Sequence, residues 1–274
     1  MKLKGGYDIP LEGRPADKVE MLPAPDVLHI PLWSRRFDFS DINVEQGQTV
    51  TAGDVLARDP DNYSVPLLAP RGGTVDLEAH DRHITLEDIV GEPPEALSAE
   101  DIEQRAPESL EPASTRVKTL VELGAWQYLC EPYSGDLPDP MLAPRTLVIS
   151  TLNLEPFVAR GDVQLHAHKA AFMRTLEHLQ EMVEYSPIYV VLPDVESELA
   201  ANLHDELRGT AWVQTVTVPS RYPFGNLELL SRKLDLRPPE EGPMWGMGTE
   251  GVLAVDRALT QSKPCDSRLL TVGG

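Results

Sequence analysis

The chain has 274 residues, with 24 Lys or Arg against 44 Asp or Glu and a formal net charge of −20, a field that repels phosphate backbones and anionic headgroups and so excludes nucleic acid and direct bilayer adsorption. Its two cysteines, Cys130 and Cys265, encode neither a disulfide framework nor an iron–sulfur cluster. No apolar run approaches the roughly 18 residues of a spanning helix, and the opening MKLKGGYDIP lacks the apolar core of a signal peptide, so a cytoplasmic protein of two domains is expected.

Residues 1 to 43, with prolines at 10, 15, 23, 25 and 31, read as an irregular arm containing one strand within Val27–Leu32. From 44 to 75 short β-branched runs alternate with turns. Gly47 and Gly53 suit tight turns, Pro70 sets φ entering another, and Gly72-Gly73 are expected to supply positive φ on leaving it. Val75 and Leu77, then Ile84 and Leu86, alternate around a polar tip as a hairpin requires. His80 and His83 lie on that tip, with no third ligand nearby in sequence, and read as solvated side chains.

Residues 91 to 115 are rich in Pro, Glu and Ser and read as a linker with one short helix capped by Ser98. A helix over 115–123 presents Val117, Leu120 and Val121 on one face and stops at Gly124. From Arg145 onward strands and helices alternate. TLVIS at 146–150, IYVVL at 188–192 and 212–218 are buried strands; a helix is expected over 162–185, and another capped by Asp194 and ending at Gly209. That grammar predicts right-handed crossovers and a mainly parallel, Rossmann-like sheet, with ligands at the carboxyl ends of strands. The predicted domains are 1–90 (arm and β-module), 91–115 (linker) and 116–274 (α/β).

The segment V-x-x-G-x-x-V-x-x-G-x-x-L followed by A-P-x-x-G-x-V, within 44–75, resembles the barrel-sandwich hybrid of biotinyl and lipoyl carriers. Those carriers modify a lysine, and no lysine occurs between Lys18 and Lys118. The same hybrid opens the NqrA and RnfC proteins of the ion-translocating NADH:quinone oxidoreductases. Leu154-Glu155-Pro156-Phe157, Arg221-Tyr222-Pro223-Phe224-Gly225 and Gly246–Val255 look like that family's motifs in the same order, and Arg268–Val272 like its next strand. The resemblance implies an architectural subunit, or a fragment of one, facing the cytoplasm and held at the membrane by partner subunits through which the electrons pass.

Flavin-binding relatives place a glycine-rich loop before the first strand of the α/β domain, where this chain has Leu123-Gly124-Ala125-Trp126-Gln127-Tyr128-Leu129-Cys130. The resemblance therefore implies no tightly bound cofactor, with weak FMN or quinone binding at Glu155, Tyr222, Gly225, Gly248 and Thr249. Gly246–Gly251 satisfies G-x-G-x-x-G, but a proline-rich loop is expected over 238–245 where a dinucleotide site needs a strand. His166 and His168 are spaced to point away from each other on a helix. No catalytic triad, P-loop or metal signature appears. The alternatives are an independent FMN- or nucleotide-binding redox protein and a scaffold unrelated to respiration.

Overall fold

The computed structural model describes residues 5–7, 20–23, 25–154, 161–166, 168–183, 187–194, 198–236 and 242–271. They fall into two compact units. One comprises 18–127 with 257–267, the other 1–17, 128–256 and 268–274.

The first unit is built on seven strands: β1 (Leu28–Pro31), β2 (Asp41–Ile42), β3 (Thr49–Val50), β4 (Val55–Asp59), β5 (Val65–Leu68), β6 (Gly72–Asp76) and β7 (His83–Val90). They form two antiparallel sheets, ordered β1-β7-β6-β3 and β2-β4-β5. Gly47 and Gly53 take φ of 76° and 92°, as tight turns between short strands require. Gly72 and Gly73 do not behave as expected: they open β6 in extended conformation. What Gly73 serves is closeness, since a Cβ there would stand 2.6 Å from the Glu87 carbonyl oxygen, beside a register shift between Gly72 and Thr74. The buried Asp59 carboxylate accepts hydrogen bonds from the Asp38 N–H (2.9 Å), the Asp61 N–H (3.1 Å) and Asn62 Nδ2 (2.8 Å), which ties the 36–38 turn to the end of β4.

Helices α1 (Ala99–Arg105) and α2 (Thr115–Glu122) belong to this unit too. In α1, Ser98 and Asp101 form a reciprocal capping box, and the helix seats Ile102, 2 % exposed. In α2, Ser114 caps the N-terminus, Val117, Leu120 and Val121 are buried, and Gly124 takes φ of 72° just past the end. The buried Glu122 carboxylate receives both Arg58 guanidinium nitrogens, at 3.0 and 2.7 Å; Arg58 also donates to the carbonyls of Ser64 and Arg105.

The second unit contains β8 (Thr146–Ser150), α3 (Gly161–His166), α4 (Lys169–Gln180), β9 (Ile188–Pro193), α5 (Glu198–Leu207), β10 (Val213–Val218), α6 (Leu227–Lys233), β11 (Met244–Gly248) and the start of α7 (Thr249–Gln261). The strands make one all-parallel sheet in the order β10-β9-β8-β11. Val148, Val191, Val216 and Met244 from its four strands pack with Phe224 and Leu230 into the core. This is the expected α/β class, with three local differences. The helix expected over 162–185 is two helices, α3 and α4, with His168 at the N-cap of the second. Arg268–Thr271 forms no strand; the fourth strand is β11, and its far edge is paired at Gly246 with Cys130 through N–O contacts of 2.9 and 2.7 Å. The expected cap at Asp194 concerns 195–197, outside the described residues.

Candidate functional site

From β8 the chain steps outward to β9 and β10, then crosses back to place β11 on the opposite side of β8. In an open α/β sheet a ligand crevice is expected where the strand order reverses, here between β8 and β11. Ser150 and Gly248 are direct neighbours in that register.

Two of the five expected site residues, Gly248 and Thr249, lie at this point, and a third, Gly225, packs on the chain leaving β8. Thr249, 1 % exposed, is the first residue of α7, and its Oγ1 has no hydrogen-bond partner among the described residues. Among the described residues nothing lies within 4 Å of where a Cβ on Gly248 would stand, beside the N-terminus of α7. Gly225 belongs to the loop after β10: a Cβ there would lie 3.2 Å from the Leu152 carbonyl oxygen and 3.5 Å from the Leu154 nitrogen, which brings that loop onto the chain leaving β8. Tyr222 serves differently. It is 46 % exposed, its peptide bond to Pro223 is cis, and its carbonyl accepts the Tyr7 N–H at 2.7 Å. Glu155 lies outside the described residues.

Two features escaped sequence reasoning. Gly161 opens α3, and a Cβ there would fall 1.9 Å from the Thr151 carbonyl oxygen and 2.7 Å from Thr249 Oγ1. Only glycine fits so close a backbone approach. Thr151 is in turn anchored to β9, its N–H and Oγ1 both donating to the Val191 carbonyl at 3.1 and 2.9 Å. The second feature is Tyr128, whose Cβ would stand 3.1 Å from a Cβ on Gly251, in the first turn of α7. Arg268 fixes the ring, donating to its hydroxyl from Nη2 at 2.8 Å and lying 5.0 Å from the ring centre. A lone Gly at 161 is the sequence signal for the first; the second has none, since 140 positions separate Arg268 and Tyr128.

The G-x-G-x-x-G stretch also resolves. Residues 244 and 245, expected as the end of a loop, open β11 (Met244–Gly248), so Gly246 and Gly248 lie in a strand and Gly251 in a helix. Gly246 is small because Leu227 Cδ1, Pro132 Cγ and Cys130 Sγ crowd it at 3.0 to 3.5 Å. Gly246 and Gly251 thus answer to packing, and all three glycines lie in regular elements rather than in a turn. Residues 126–128 form a single 3-10 turn, with Trp126 and Leu129 fully buried. A flavin phosphate needs a run of free N–H groups on a glycine loop. The residues present do not fit a tightly held flavin.

Comparison with known proteins bears on both units. Residues 1–87 match the family model of the NqrA N-terminal barrel-sandwich hybrid domain, and residues 113–261 that of the NqrA second alpha/beta domain. The chain belongs to the NqrA family. Its relatives include the A-type subunit of the Na(+)-translocating NADH-quinone reductase of Photorhabdus laumondii, 27% identical over 67% of this chain and 41% of that protein. The same subunit of the Saccharophagus degradans reductase is 25% identical over 100% of this chain and 60% of that protein. The C-type subunit of the ion-translocating oxidoreductase complex of Serratia proteamaculans is 24% identical over 92% of this chain and 38% of its own length. This NqrA-family chain thus spans at most 60% of the length of these three relatives. No helix among the described residues is long and apolar enough to cross a membrane.

Proposed function

We propose that this chain is a peripheral, cytoplasm-facing subunit, or part of one, in an Nqr/Rnf-type ion-translocating NADH:quinone oxidoreductase. Its role is architectural. Electrons pass through partner subunits, and the crevice between β8 and β11 is the remnant of a flavin site that takes FMN or a quinone weakly. The observation that carries this reading is the succession of both NqrA domains on one chain, 1–87 then 113–261. In domain terms the proposal assigns 1–90 to the arm and hybrid, 91–115 to the connection and 116–274 to the α/β part.

The crevice supports the second half of the reading. Tyr128 packs beside Gly251 of α7, while among the described residues nothing lies within 4 Å of a Cβ at Gly248 and Thr249 Oγ1 has no hydrogen-bond partner. Glu155 and the Tyr222–Gly225 loop are its proposed further contacts. Each backbone N–H contact to a phosphate that a glycine loop supplies is a charge-assisted bond worth roughly 1.5–3 kcal/mol, so loss of two weakens binding by about two to four orders of magnitude.

Two experiments test the proposal. Affinity purification of the tagged chain from detergent-solubilised membranes of its native host should recover NADH:quinone reductase activity and integral-membrane partners; a chain recovered alone, with the activity elsewhere, rejects the subunit role. Titration calorimetry with FMN should show a Kd above about 1 μM. Stoichiometric sub-micromolar binding abolished by Glu155→Ala would favour the independent flavoprotein instead.

A further inference from the structure

We propose that the first unit carries a binding site for a free aliphatic α-amino acid, in a cavity of about 390 Å³ bounded by β3, the 51–54 turn, the 92–97 stretch and Arg105. That volume lies in the range of small-molecule pockets, roughly 300–1,000 Å³. The whole lining falls within 18–127 and 257–267, so the site shares no residue with the crevice at β8 and β11.

Two opposite charges line this cavity without meeting. Arg105, in the last turn of α1, is half-buried and commits one guanidinium nitrogen, Nη2, to the Gly53 carbonyl at 2.8 Å, the only hydrogen bond of its side chain among the described residues. Asp54 is held from the turn: its Oδ2 accepts the Thr51 N–H at 2.7 Å and the Thr51 hydroxyl at 3.0 Å, which leaves Oδ1 unengaged among the described residues. No ion pair joins the two side chains. Burial, with Arg58 nearby, draws the Arg105 guanidinium below its ordinary pKa against the pull of Glu122 and Asp54, as a cation with too little compensation should behave. Half-buried charges short of partners cost desolvation free energy, which a ligand offsets by supplying the partners.

A zwitterion supplies both. Its α-carboxylate accepts charge-assisted hydrogen bonds from the remaining N–H groups of Arg105, and its α-ammonium donates to Asp54 Oδ1. A plain anion would leave Asp54 unmatched and meet the exposed carboxylates of Glu92 and Glu95, which also line the cavity; a plain cation would leave Arg105 unmatched. The rest of the wall selects the side chain. Val50, Leu97 and Pro264 line it together with Val90, the last residue of β7, which is 52 % exposed and loses that exposure when an aliphatic side chain lies on it. Gly72 keeps the floor bare, since a Cβ there would stand 3.2 Å from the Val50 carbonyl oxygen and 3.4 Å from Val90 Cβ.

The experiment is titration calorimetry of the whole chain with L-leucine, and with isocaproate, which lacks the ammonium, and isoamylamine, which lacks the carboxylate, as matched probes. L-leucine should bind one to one, and each probe about tenfold or more weakly, because each lacks one charged hydrogen-bonding group. Arg105→Gln and Asp54→Asn should each lower the affinity for L-leucine about tenfold or more, and Val90→Ala should lower it severalfold. Asparagine at 54 keeps an acceptor for Thr51, so that variant remains informative even where Arg105→Gln unfolds. No saturable binding up to about 10 mM L-leucine, either probe bound as tightly as L-leucine, or undiminished affinity in Asp54→Asn overturns the proposal.

Discussion

Single positions at the crevice show why a glycine count says little until each environment is known. Gly161 and Gly248 lie at the same end of the sheet, yet one is pressed against Thr151 and Thr249 and the other has no neighbour within 4 Å among the described residues. Gly161→Ala should therefore destabilise the protein by about 1–3 kcal/mol or more, because the Thr151 backbone is pinned to β9 and has little room to yield. Gly248→Ala should be within about 0.5 kcal/mol of wild type, and would differ in ligand access rather than stability. Urea denaturation of the two variants distinguishes them; equal losses would mean the approach at Gly161 relaxes easily. Asp101 offers a pH test at the same scale. The Ser98 hydroxyl and then the Ser98 N–H, which it accepts in the capping box, hold its carboxyl below the usual carboxylate range. A depressed folded-state pKa adds stability above the unfolded value of about 4 and loses it as pH falls through the folded one. Asp101→Asn should thus lower the urea midpoint at pH 7 and differ little from wild type near pH 2. A gap that persists undiminished there would assign the effect to something other than ionisation.

Between elements, the strongest polar tie described is the fork of Arg58 on β4 with Glu122 at the end of α2. Glu122 is 0 % and Arg58 13 % exposed in the side chain, so neither keeps much water. Removing one partner strands the other: Arg58→Ala should cost about 3–5 kcal/mol, whereas replacing both by hydrophobic residues of similar volume should cost much less. Thermal melts of the single and double variants measure the coupling, and purely additive losses would contradict it. Arg105, which donates to the Gly53 carbonyl at 2.8 Å, joins the same region, and burial draws its guanidinium below its ordinary pKa despite the nearby Glu122. On the other unit, Arg174 on α4 grips the buried Asp256 with two nitrogens at 2.8 and 2.9 Å, and that pairing raises the Arg174 pKa.

For the whole molecule, the stretch 91–97 has no regular structure and is mostly exposed, whereas α1 and the 3-10 turn at Glu108–Leu110 seat Ile102 and Leu110, 2 % and 1 % exposed. Limited proteolysis with a glutamate-specific protease should cut first at Glu95 and spare α1. First cleavage between 146 and 218 would mean that the α/β part opens before the connection does. The acidic surface bears on assembly too: a net charge of −20 favours basic partner surfaces and makes association weaken as salt rises.

Local rules sufficed wherever the chain's neighbours in sequence are also its neighbours in space. The apolar runs at 146–150 and 188–192, the caps at Ser98 and Gly124, and the turns at Gly47 and Gly53 depend on backbone sterics and on local residue pattern, all readable from contiguous residues. Tertiary structure decided the rest. Whether a glycine is there for φ or for closeness, as at Gly73 and Gly161, depends on which remote carbonyl passes beside it. Whether residues 244–248 are loop or strand depended on a parallel partner, β8, nearly a hundred positions earlier, and no local propensity encodes that pairing. His29 reaches His80, and Arg268 reaches Tyr128, by the same principle. Side chains distant in sequence meet only after the strands have paired, because the free energy of each contact depends on the elements that hold its two ends.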